Sequence, residues 1–368
     1  MADPRVERLA DVLVDYSTNV NAGELVQIRG STATEPLLLA LYERCLKKGA
    51  HALLQATPPH AEVLFYRHAS DQHLEFVWES DRWLAEHIDV SLRVLGDVNT
   101  RQLSHADPSR QAAVARARRP LSDTFFKRTA EGTLRWSLSL YPTEAYAMDA
   151  QMSLPEYEDF FYAACLVDRD DPVAEWRRLG ERNERVVDWL RGRREVHLEG
   201  EGTDLKLGIS ERTFITADGL FNMPDGEVFT GPIENATEGV VSFSYPVIYG
   251  GRSVEGVQLR FDGGRVVDAK ASRNQDYLLQ MLDADPGART LGELGIGTNY
   301  GIADFSGEIL LDEKIGGTIH LAVGASYPET GGRNQSSVHW DMVCDLRHGG
   351  RISVDGEPLM ENGRLLVG

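Results

Sequence analysis

The hydrophobic and polar positions in the first half of the chain follow two alternating periods. Short strand-like runs such as ELVQIRG at 24–30 and DVSLRVLG at 89–96 are separated by segments with apolar residues at helical spacing. Further strand-like runs lie at 51–57 and 134–142, and the helical spacing covers 3–20, 33–50, 74–88 and 107–132. Strands that alternate with helices of this length predict parallel β-α-β units.

The pattern changes near residue 190. Residues 151–194 keep the helical spacing, but from residue 195 onward short alternating strands and Gly/Asp turns dominate. The stretch VQLRFDGGRVVDAKAS at 257–272 predicts a hairpin with a Gly-Gly turn, and Asp-Gly and Asn-Gly pairs near the C-terminus predict another. The 368 residues also exceed what one hydrophobic core usually organises. The sequence therefore predicts an α/β domain with a parallel, Rossmann-like sheet at 1–190 and a β-rich α+β domain at 191–368.

Composition narrows the possible partners. The formal net charge of −19 repels phosphate groups, which argues against nucleic acid and against anionic membranes. No apolar run approaches the roughly 18–20 residues that span a bilayer, and the first residues are charged and amphipathic, unlike a signal peptide. G-x-G-x-x-G and G-x-x-x-x-G-K are both absent, so the parallel sheet lacks a nucleotide-binding fingerprint. We expect a cytoplasmic protein with reduced cysteines.

Candidate chemistry is concentrated near the C-terminus, on two strand-like stretches. In GTIHLAVG the alternation puts His320 on the face opposite its apolar neighbours. In SSVHWDMV, His339 and Asp341 are two residues apart and therefore share one strand face. Imidazole and carboxylate together suit zinc, cobalt, manganese or iron. A His-x-Asp pair alone is more often a hydrogen-bonded surface pair, so this pattern needs support.

Two carboxylates upstream supply that support. Glu227 follows an Asp-Gly turn in FNMPDGEVFTGP and lies between apolar residues, where a solvated carboxylate is not expected. Glu293 lies in LGELGIGTN, where glycines permit close backbone approach. The alternative for each is an exposed charge or a turn residue.

Five motifs in this order resemble the M29 metallopeptidases, the thermophilic aminopeptidase family. They are NMPDGEVFTGP, LGELGIGTN, DEKIGGTIHLAVG, SYPETGG and VHWDMV, and the similarity extends over nearly the whole chain. The resemblance implies the thermophilic metalloprotease fold, a homodimer, and a metallo-aminopeptidase (a hydrolase) that acts on short peptides with a free N-terminus. It also implies a cocatalytic pair of divalent metal ions (zinc, cobalt, manganese or magnesium).

The resemblance also assigns residues. Its metal ligands fall on Glu227, Glu293, His320, His339 and Asp341 of this sequence. Tyr327 in SYPETGG matches a tyrosine near the metals, and Tyr327 and Glu293 are the candidate catalytic residues. Glu293, Glu227 or Asp341 could bridge the two metals, and the general base stays open among the glutamates.

A second function remains open on the same scaffold. Ring-cleaving dihydroxypyridine dioxygenases resemble this family and use the two histidines and the aspartate around one iron(II). A single iron needs a His-His-Asp set with open positions for oxygen. The presence of both Glu227 and Glu293 favours two metals and hydrolysis.

Overall fold

The computed structural model describes residues 3–249 and 252–368. Contacts divide the chain into two compact units, Met1–Val173 with Gly219–Met223, and Ala174–Asp218 with Pro224–Gly368. The main difference from the predicted boundary at residue 190 concerns the helix Pro172–Leu190. The prediction placed it in the first domain, whereas the contacts place nearly all of it in the second unit. The C-terminal half of that helix buries Val186 and Leu190 in the core of the second unit.

The first unit contains a five-stranded sheet whose strands all run parallel. Four strands come from its N-terminal part, and the fifth, Asn222–Met223 (called β8 below), pairs with the last of them. The four are β1 (Leu25–Ser31), β2 (His51–Thr57), β3 (Val90–Leu95) and β4 (Arg135–Leu140). The spatial order is β2-β1-β3-β4-β8. The predicted parallel α/β architecture of the first half is confirmed.

The helices of the chain are mostly short, and several begin with a recognisable cap. Asp3 and Asp107 each accept a hydrogen bond from the backbone two residues on, and a proline follows each of them in the first turn. The α-helices are α1 (Pro4–Asp11), α2 (Glu35–Lys47), α3 (Ala61–His68), α4 (Asp71–Glu75), α5 (Glu79–His87), α6 (Pro108–Ala130), α7 (Glu144–Asp149), α8 (Leu154–Ala164), α9 (Pro172–Leu190), α10 (Gln275–Leu282) and α11 (Ile309–Asp312). A π-helical segment (Val12–Ser17) continues α1, and 3₁₀ turns occupy Thr32–Thr34 and Pro328–Thr330.

One predicted helix is wrong in extent. The segment 74–88 holds the end of α4 and all of α5, because Phe76 and Trp78 adopt extended backbone angles between them. The intervening Phe-Val-Trp run consists of poor helix formers. Glu79 and Asp81 lie in the first turn of α5, where negative charge stabilises the start of a helix. None of the helices in the described residues has the length and apolar character needed to cross a membrane.

The second unit is built from antiparallel strands, which confirms its predicted β-rich character. Strand β8 also follows β4 along the chain but belongs to the parallel sheet of the first unit. The strands that follow β4 along the chain are β5 (Glu195–Gly200), β6 (Thr203–Gly208), β7 (Ile215–Ala217), β8 (Asn222–Met223), β9 (Glu227–Thr230), β10 (Thr237–Ser242), β11 (Val247–Tyr249), β12 (Arg252–Val254), β13 (Gln258–Asp262), β14 (Arg265–Lys270), β15 (Leu291–Gly297), β16 (Thr318–Gly324), β17 (His339–Asp345), β18 (Arg351–Val354), β19 (Glu357–Glu361) and β20 (Arg364–Leu365). The predicted hairpin at 257–272 is the pair β13–β14, closed by Gly263 and Gly264.

Two antiparallel sheets enclose the core of the second unit. One has eight strands in the order β14-β13-β10-β6-β5-β18-β19-β20, and the other has five in the order β17-β16-β15-β9-β7. Apolar residues from alternate positions of both sheets form one continuous cluster, among them Leu205, Leu259, Ile319 and Trp340. The five-stranded sheet therefore has one face committed to the core, and its other face is left for polar residues.

Candidate metal centre

The antiparallel five-stranded sheet of the second unit brings all five predicted ligands together on one face. Glu227 is the first residue of β9, Glu293 lies on β15, His320 on β16, and His339 and Asp341 on β17. These four strands are consecutive neighbours in the sheet. Their alternate positions enter the core, as the sequence alternation predicted for β16 and β17.

The register of the strands sets the height of each side chain. Glu293 pairs with Ala322, which in turn pairs with Asp341, so the two carboxylates lie in one row across the sheet. His320 pairs with Gly295 on the neighbouring strand. The pairing shifts between Leu291 and Glu293, which marks a β-bulge just before the glutamate.

Gly295 makes room for the His320 ring. A Cβ at position 295 would lie 1.9 Å from Cε1 and 2.1 Å from Nε2 of His320. No real pair of atoms approaches so closely, so the imidazole occupies the place where a side chain would stand. Glycine is required at this position if His320 is to lean across β15 toward Glu293.

Backbone carbonyls orient both imidazoles. His320 Nδ1 lies 3.0 Å from the carbonyl oxygen of Glu313, and His339 Nδ1 lies 2.9 Å from that of Ala325. A carbonyl only accepts, so each Nδ1 carries its hydrogen and donates it. This arrangement turns both Nε2 atoms toward the carboxylates and fixes the tautomer suited to metal binding.

Glu293 is in contact with both histidines. Its Oε1 lies 3.5 Å from Nε2 of His320, and its Oε2 lies 3.2 Å from Nε2 of His339. The outer carboxylates complete each side, with Glu227 Oε2 at 3.3 Å from His320 Nε2 and Asp341 Oδ2 at 3.4 Å from His339 Nε2. The cluster is thus two histidine–carboxylate groups joined at Glu293.

Two further charged residues belong to the cluster and were not singled out from the sequence. Lys314 Nζ donates to Glu227 Oε1 at 2.7 Å and to Glu313 Oε1 at 2.5 Å, and its side chain is only 2% exposed. The sole signal in the sequence is that DEKIGG precedes the strand of His320, and adjacent charges of opposite sign usually mark a solvated turn. Burial of Lys314 becomes visible only when Glu227 lies beside it.

Electrostatics follow from burial. Burial is the largest single influence on both imidazoles and lowers their pKa. The hydrogen bond to Glu293 and the attraction of the surrounding carboxylates together outweigh it, and they raise the pKa of His320 to about 10 and that of His339 to about 9. Burial raises the pKa of Glu227 and of Asp341 above the ordinary range, and nearby cations only partly oppose this. For Glu293, burial is outweighed by the hydrogen bonds from the two histidines, and its pKa is lowered.

The donor set fits divalent cations. Metal binding requires neutral imidazoles and ionised carboxylates. In that state Glu227, Glu293, Glu313 and Asp341 carry four negative charges against the one positive charge of Lys314, a formal charge of −3. Buried charge of this size requires compensation. Within the described residues, Glu227 Oε2 and Asp341 Oδ1 are buried and accept no hydrogen bond.

Three groups of three residues hold ligand atoms within 4.8 Å of one another. They are Glu227–Glu293–His320, Glu293–His339–Asp341 and Glu313–His320–Asp341. Imidazole nitrogen and carboxylate oxygen are ligands that zinc, cobalt and manganese accept. The residues therefore fit the metals implied by the sequence.

Tyr327 lies at the open side of the cluster. Its ring meets that of His339 edge-on at 5.2 Å between centroids and that of Phe229 at 5.8 Å. Partial burial, with the negative charges of Glu293 and Asp341, raises the pKa of its phenol well above the usual range. The hydroxyl therefore stays protonated and can donate a hydrogen bond.

A known protein family matches nearly the whole chain. The model of the thermophilic metalloprotease family, M29, matches residues 2–365. The chain belongs to this family. The predicted family, and with it the prediction of a metal-dependent peptidase, are confirmed.

Curated relatives cover the same span. Aminopeptidase T of Thermus thermophilus is 27% identical, with 98% of each chain covered, and aminopeptidase AmpS of Bacillus subtilis is 26% identical with the same coverage. Among solved structures, wild-type AmpT from Thermus thermophilus superposes with a TM-score of 0.84 at 23% identity, over 99% of each chain. A 2,5-dihydroxypyridine dioxygenase from Pseudomonas putida gives a TM-score of 0.61 at 14% identity, over 100% of this chain and 98% of that one. Both structural similarities show the fold of this chain and nothing about its activity.

Proposed function

We propose that this metalloprotease-family chain is an aminopeptidase that removes N-terminal residues from short peptides, with two divalent metal ions held by Glu227, Glu293, His320, His339 and Asp341. The observation that carries the proposal is the position of Glu293, whose two oxygens each face a different histidine. A carboxylate shared in this way would be the ligand that both metals have in common. The names of the curated relatives agree with this activity.

The metals would activate a water molecule and polarise the scissile carbonyl. The chain's own residues supply the remaining functions. Tyr327 keeps its phenolic proton and is placed to donate to an oxygen that gains negative charge. Lys314 holds the Glu227 carboxylate from the side away from His320, and so fixes which oxygen of Glu227 faces the centre.

Glu293 and Glu313 are the two candidates for accepting a proton from water. Glu293 touches both imidazoles, which limits its freedom to take a proton. Glu313 offers an oxygen within 4.8 Å of ligand atoms of His320 and Asp341 and is hydrogen-bonded to Lys314. This geometry favours Glu313 for the proton and leaves Glu293 as the bridge.

A cavity beside the centre suits the side chain of the N-terminal residue. Its volume is about 260 Å³, and His339 and Asp341 form part of its wall. Much of the remaining wall is apolar, and it includes Phe305 stacked on Tyr245 at 4.6 Å between centroids. We therefore expect apolar N-terminal residues such as leucine to be preferred.

The substrate assay uses leucyl-, glycyl- and N-acetyl-leucyl-p-nitroanilide with metal-loaded protein. We expect cleavage of leucyl-p-nitroanilide, slower cleavage of the glycyl compound, and none of the acetylated one, because acetylation removes the amine lone pair and its charge. A sample dialysed against a chelator should be inactive, and zinc, cobalt, manganese or magnesium should restore it.

Other outcomes point elsewhere. Equal cleavage of the acetylated substrate would make the protein an endopeptidase or amidase. Oxygen consumption with dihydroxypyridine and one iron per chain would favour the dioxygenase, which at present rests on likeness of fold alone.

Assembly and location are proposed alongside the activity. We expect a homodimer, as the resemblance to the family implies, and we propose a cytoplasmic location. Light scattering at micromolar concentration should give twice the chain mass of 40.9 kDa. A monomeric mass under those conditions would contradict the prediction.

A further inference from the structure

The parallel sheet of the first unit has one apolar face and one polar face. Val26 and Ile28 of β1 are at most 1% exposed, and they share a face with Gly30, where an added Cβ would touch Leu38 of α2. The opposite face of the sheet carries polar side chains from three neighbouring strands. They are Gln27 and Arg29 of β1, Gln55 of β2, and Ser91 and Arg93 of β3.

A polar face is unusual for a sheet of this class. Parallel sheets are normally covered by apolar residues on both faces, and their strands then read as continuous hydrophobic runs. Here the polar face forms one wall of a cavity of about 1070 Å³. Residues of α3, α5 and α6 form the facing wall, including Phe65, Leu84 and Arg118. The departure from the rule therefore coincides with a space large enough for a small molecule.

Three arginines converge on this cavity. Arg29 and Arg93 are direct register partners on β1 and β3, and Arg118 reaches the same space from α6. Among residues 3–249 and 252–368, these three guanidinium groups make no hydrogen bond and no ion pair. All three residues are exposed, so solvent reaches the guanidinium groups within the cavity. Partial desolvation, followed by repulsion from Arg93, lowers the pKa of Arg29 below its ordinary range.

The three arginines of the cavity lie in a chain with an excess of acidic residues. The chain has 57 acidic residues against 38 lysines and arginines, so an acidic partner for each arginine would be easy to supply. Asp81 and Asp97 also line the cavity, yet they act on Arg29 and Arg93 only at longer range. Like charges held side by side repel one another, and an anion between them replaces that repulsion with attraction.

The cavity runs along the sheet face, and one end of it reaches the carboxyl ends of the strands. The strand order β2-β1-β3-β4 puts β2 on one side of β1 and β3 on the other, so the direction of winding reverses between β1 and β3. Open α/β sheets bind ligands at this switch point, beyond the carboxyl ends of the strands. Ser31, Thr57 and Gly96 lie at those ends and line the cavity.

We propose that this cavity binds a small organic oxyanion, a carboxylate or a phosphate attached to an apolar body, with Arg29, Arg93 and Arg118 around the oxyanion. Guanidinium groups bind both anions through paired N–H donors. Phe125 and Trp136 of the cavity wall face the apolar part of the ligand. The site lies within the first unit and does not depend on the proposed peptidase activity.

The test compares phenyl phosphate, benzoate and benzyl alcohol as probes, by calorimetric titration of the metal-loaded full-length protein. We expect one of the two anions to bind, which identifies its class, and the neutral alcohol not to bind. Arg93→Gln should weaken binding about tenfold or more, since hydrogen bonds to charged groups contribute strongly. Arg119→Gln is the control. Arg119 follows Arg118 on α6, but it does not line the cavity, and its side chain is 80% exposed.

Weaker binding in Arg93→Gln would also exclude binding of the probes at the metal centre, because this substitution leaves the metal centre unchanged. Ligand-free Arg93→Gln should melt at or above the wild-type temperature, since it removes one of three neighbouring positive charges. At equal concentration the probe should raise the melting temperature of this variant less than that of the wild type. If Arg93→Gln fails to fold, Arg29→Lys keeps the charge and should still weaken binding. Equal affinity in wild type and arginine variants, binding of the alcohol, or no binding of either anion at millimolar concentration would overturn the proposal.

Discussion

Glu293→Gln is expected to lower kcat on leucyl-p-nitroanilide by about a thousandfold or more, which corresponds to roughly 4 kcal/mol of transition-state stabilisation. The reason is the shared position of the carboxylate, which touches Nε2 of His320 through one oxygen and Nε2 of His339 through the other. An amide has one acceptor oxygen and one NH₂ group, so it cannot serve both sides. No other carboxylate in the described residues belongs to both of the groups that contain His320 with Glu227 and His339 with Asp341.

Metal content should fall together with activity. We expect two divalent ions per chain in wild-type protein, measured by mass spectrometry after gel filtration, and a lower content in Glu293→Gln. Glu329→Gln is the control, because Glu329 lies in the exposed turn next to Tyr327 and in none of the candidate metal groups. A Glu293→Gln protein with full metal content and near wild-type kcat would show that Glu293 is not the bridge.

The sequence predicts the parts of the site that depend on alternation. In β16 and β17 the period of two already separates His320, His339 and Asp341 from the apolar residues that enter the core, and the structure confirms those faces. The motifs shared with the family supply Glu227 and Glu293, which alternation alone does not distinguish from turn residues. All five residues meet in one cluster, while their role as ligands stays a prediction.

Features that depend on tertiary contacts were not predictable. Lys314 is a charged residue beside another charged residue, and its burial follows only from the approach of Glu227 across the fold. The bulge before Glu293 is likewise invisible in the sequence, since glycine at 292 is compatible with many backbone conformations. The polar face of the parallel sheet, by contrast, is predictable from the sequence. ELVQIRG alternates between apolar and polar residues, whereas a buried parallel strand is usually apolar throughout.

The glycines around Glu293 show how a weak sequence signal gains a physical meaning. The sequence indicates only that backbone approaches closely somewhere in LGELGIGTN. The structure assigns separate reasons to two of these glycines. A Cβ at Gly292 would lie 2.0 Å from the carbonyl oxygen of Ala325, whereas a Cβ at Gly295 would lie on the imidazole of His320. The first glycine permits the bulge, and the second permits a histidine to cross a strand.

This difference leads to the second large expected effect. Gly295→Ala should lower kcat about a hundredfold or more, because the new methyl group displaces the His320 ring and a misplacement of about 1 Å in a catalytic group has costs of that order. His320 then cannot keep both its hydrogen bond to the Glu313 carbonyl and its contact with Glu293. The control is Gly200→Ala, where the new Cβ would meet its nearest neighbour, a leucine methyl group, at 3.3 Å in the other sheet of the same unit.

The readout for Gly295→Ala combines kcat, metal content and melting temperature in the same preparation. If the methyl group acts through His320, activity and metal content should fall far more than in Gly200→Ala, even if both variants lose similar amounts of stability. Truncation of the ring in the double variant Gly295→Ala with His320→Ala should then recover melting temperature without recovering activity, since the clash is removed together with the ligand. Wild-type kcat and metal content in Gly295→Ala would mean that His320 does not need its position over β15, and the metal site would have to be assigned without it.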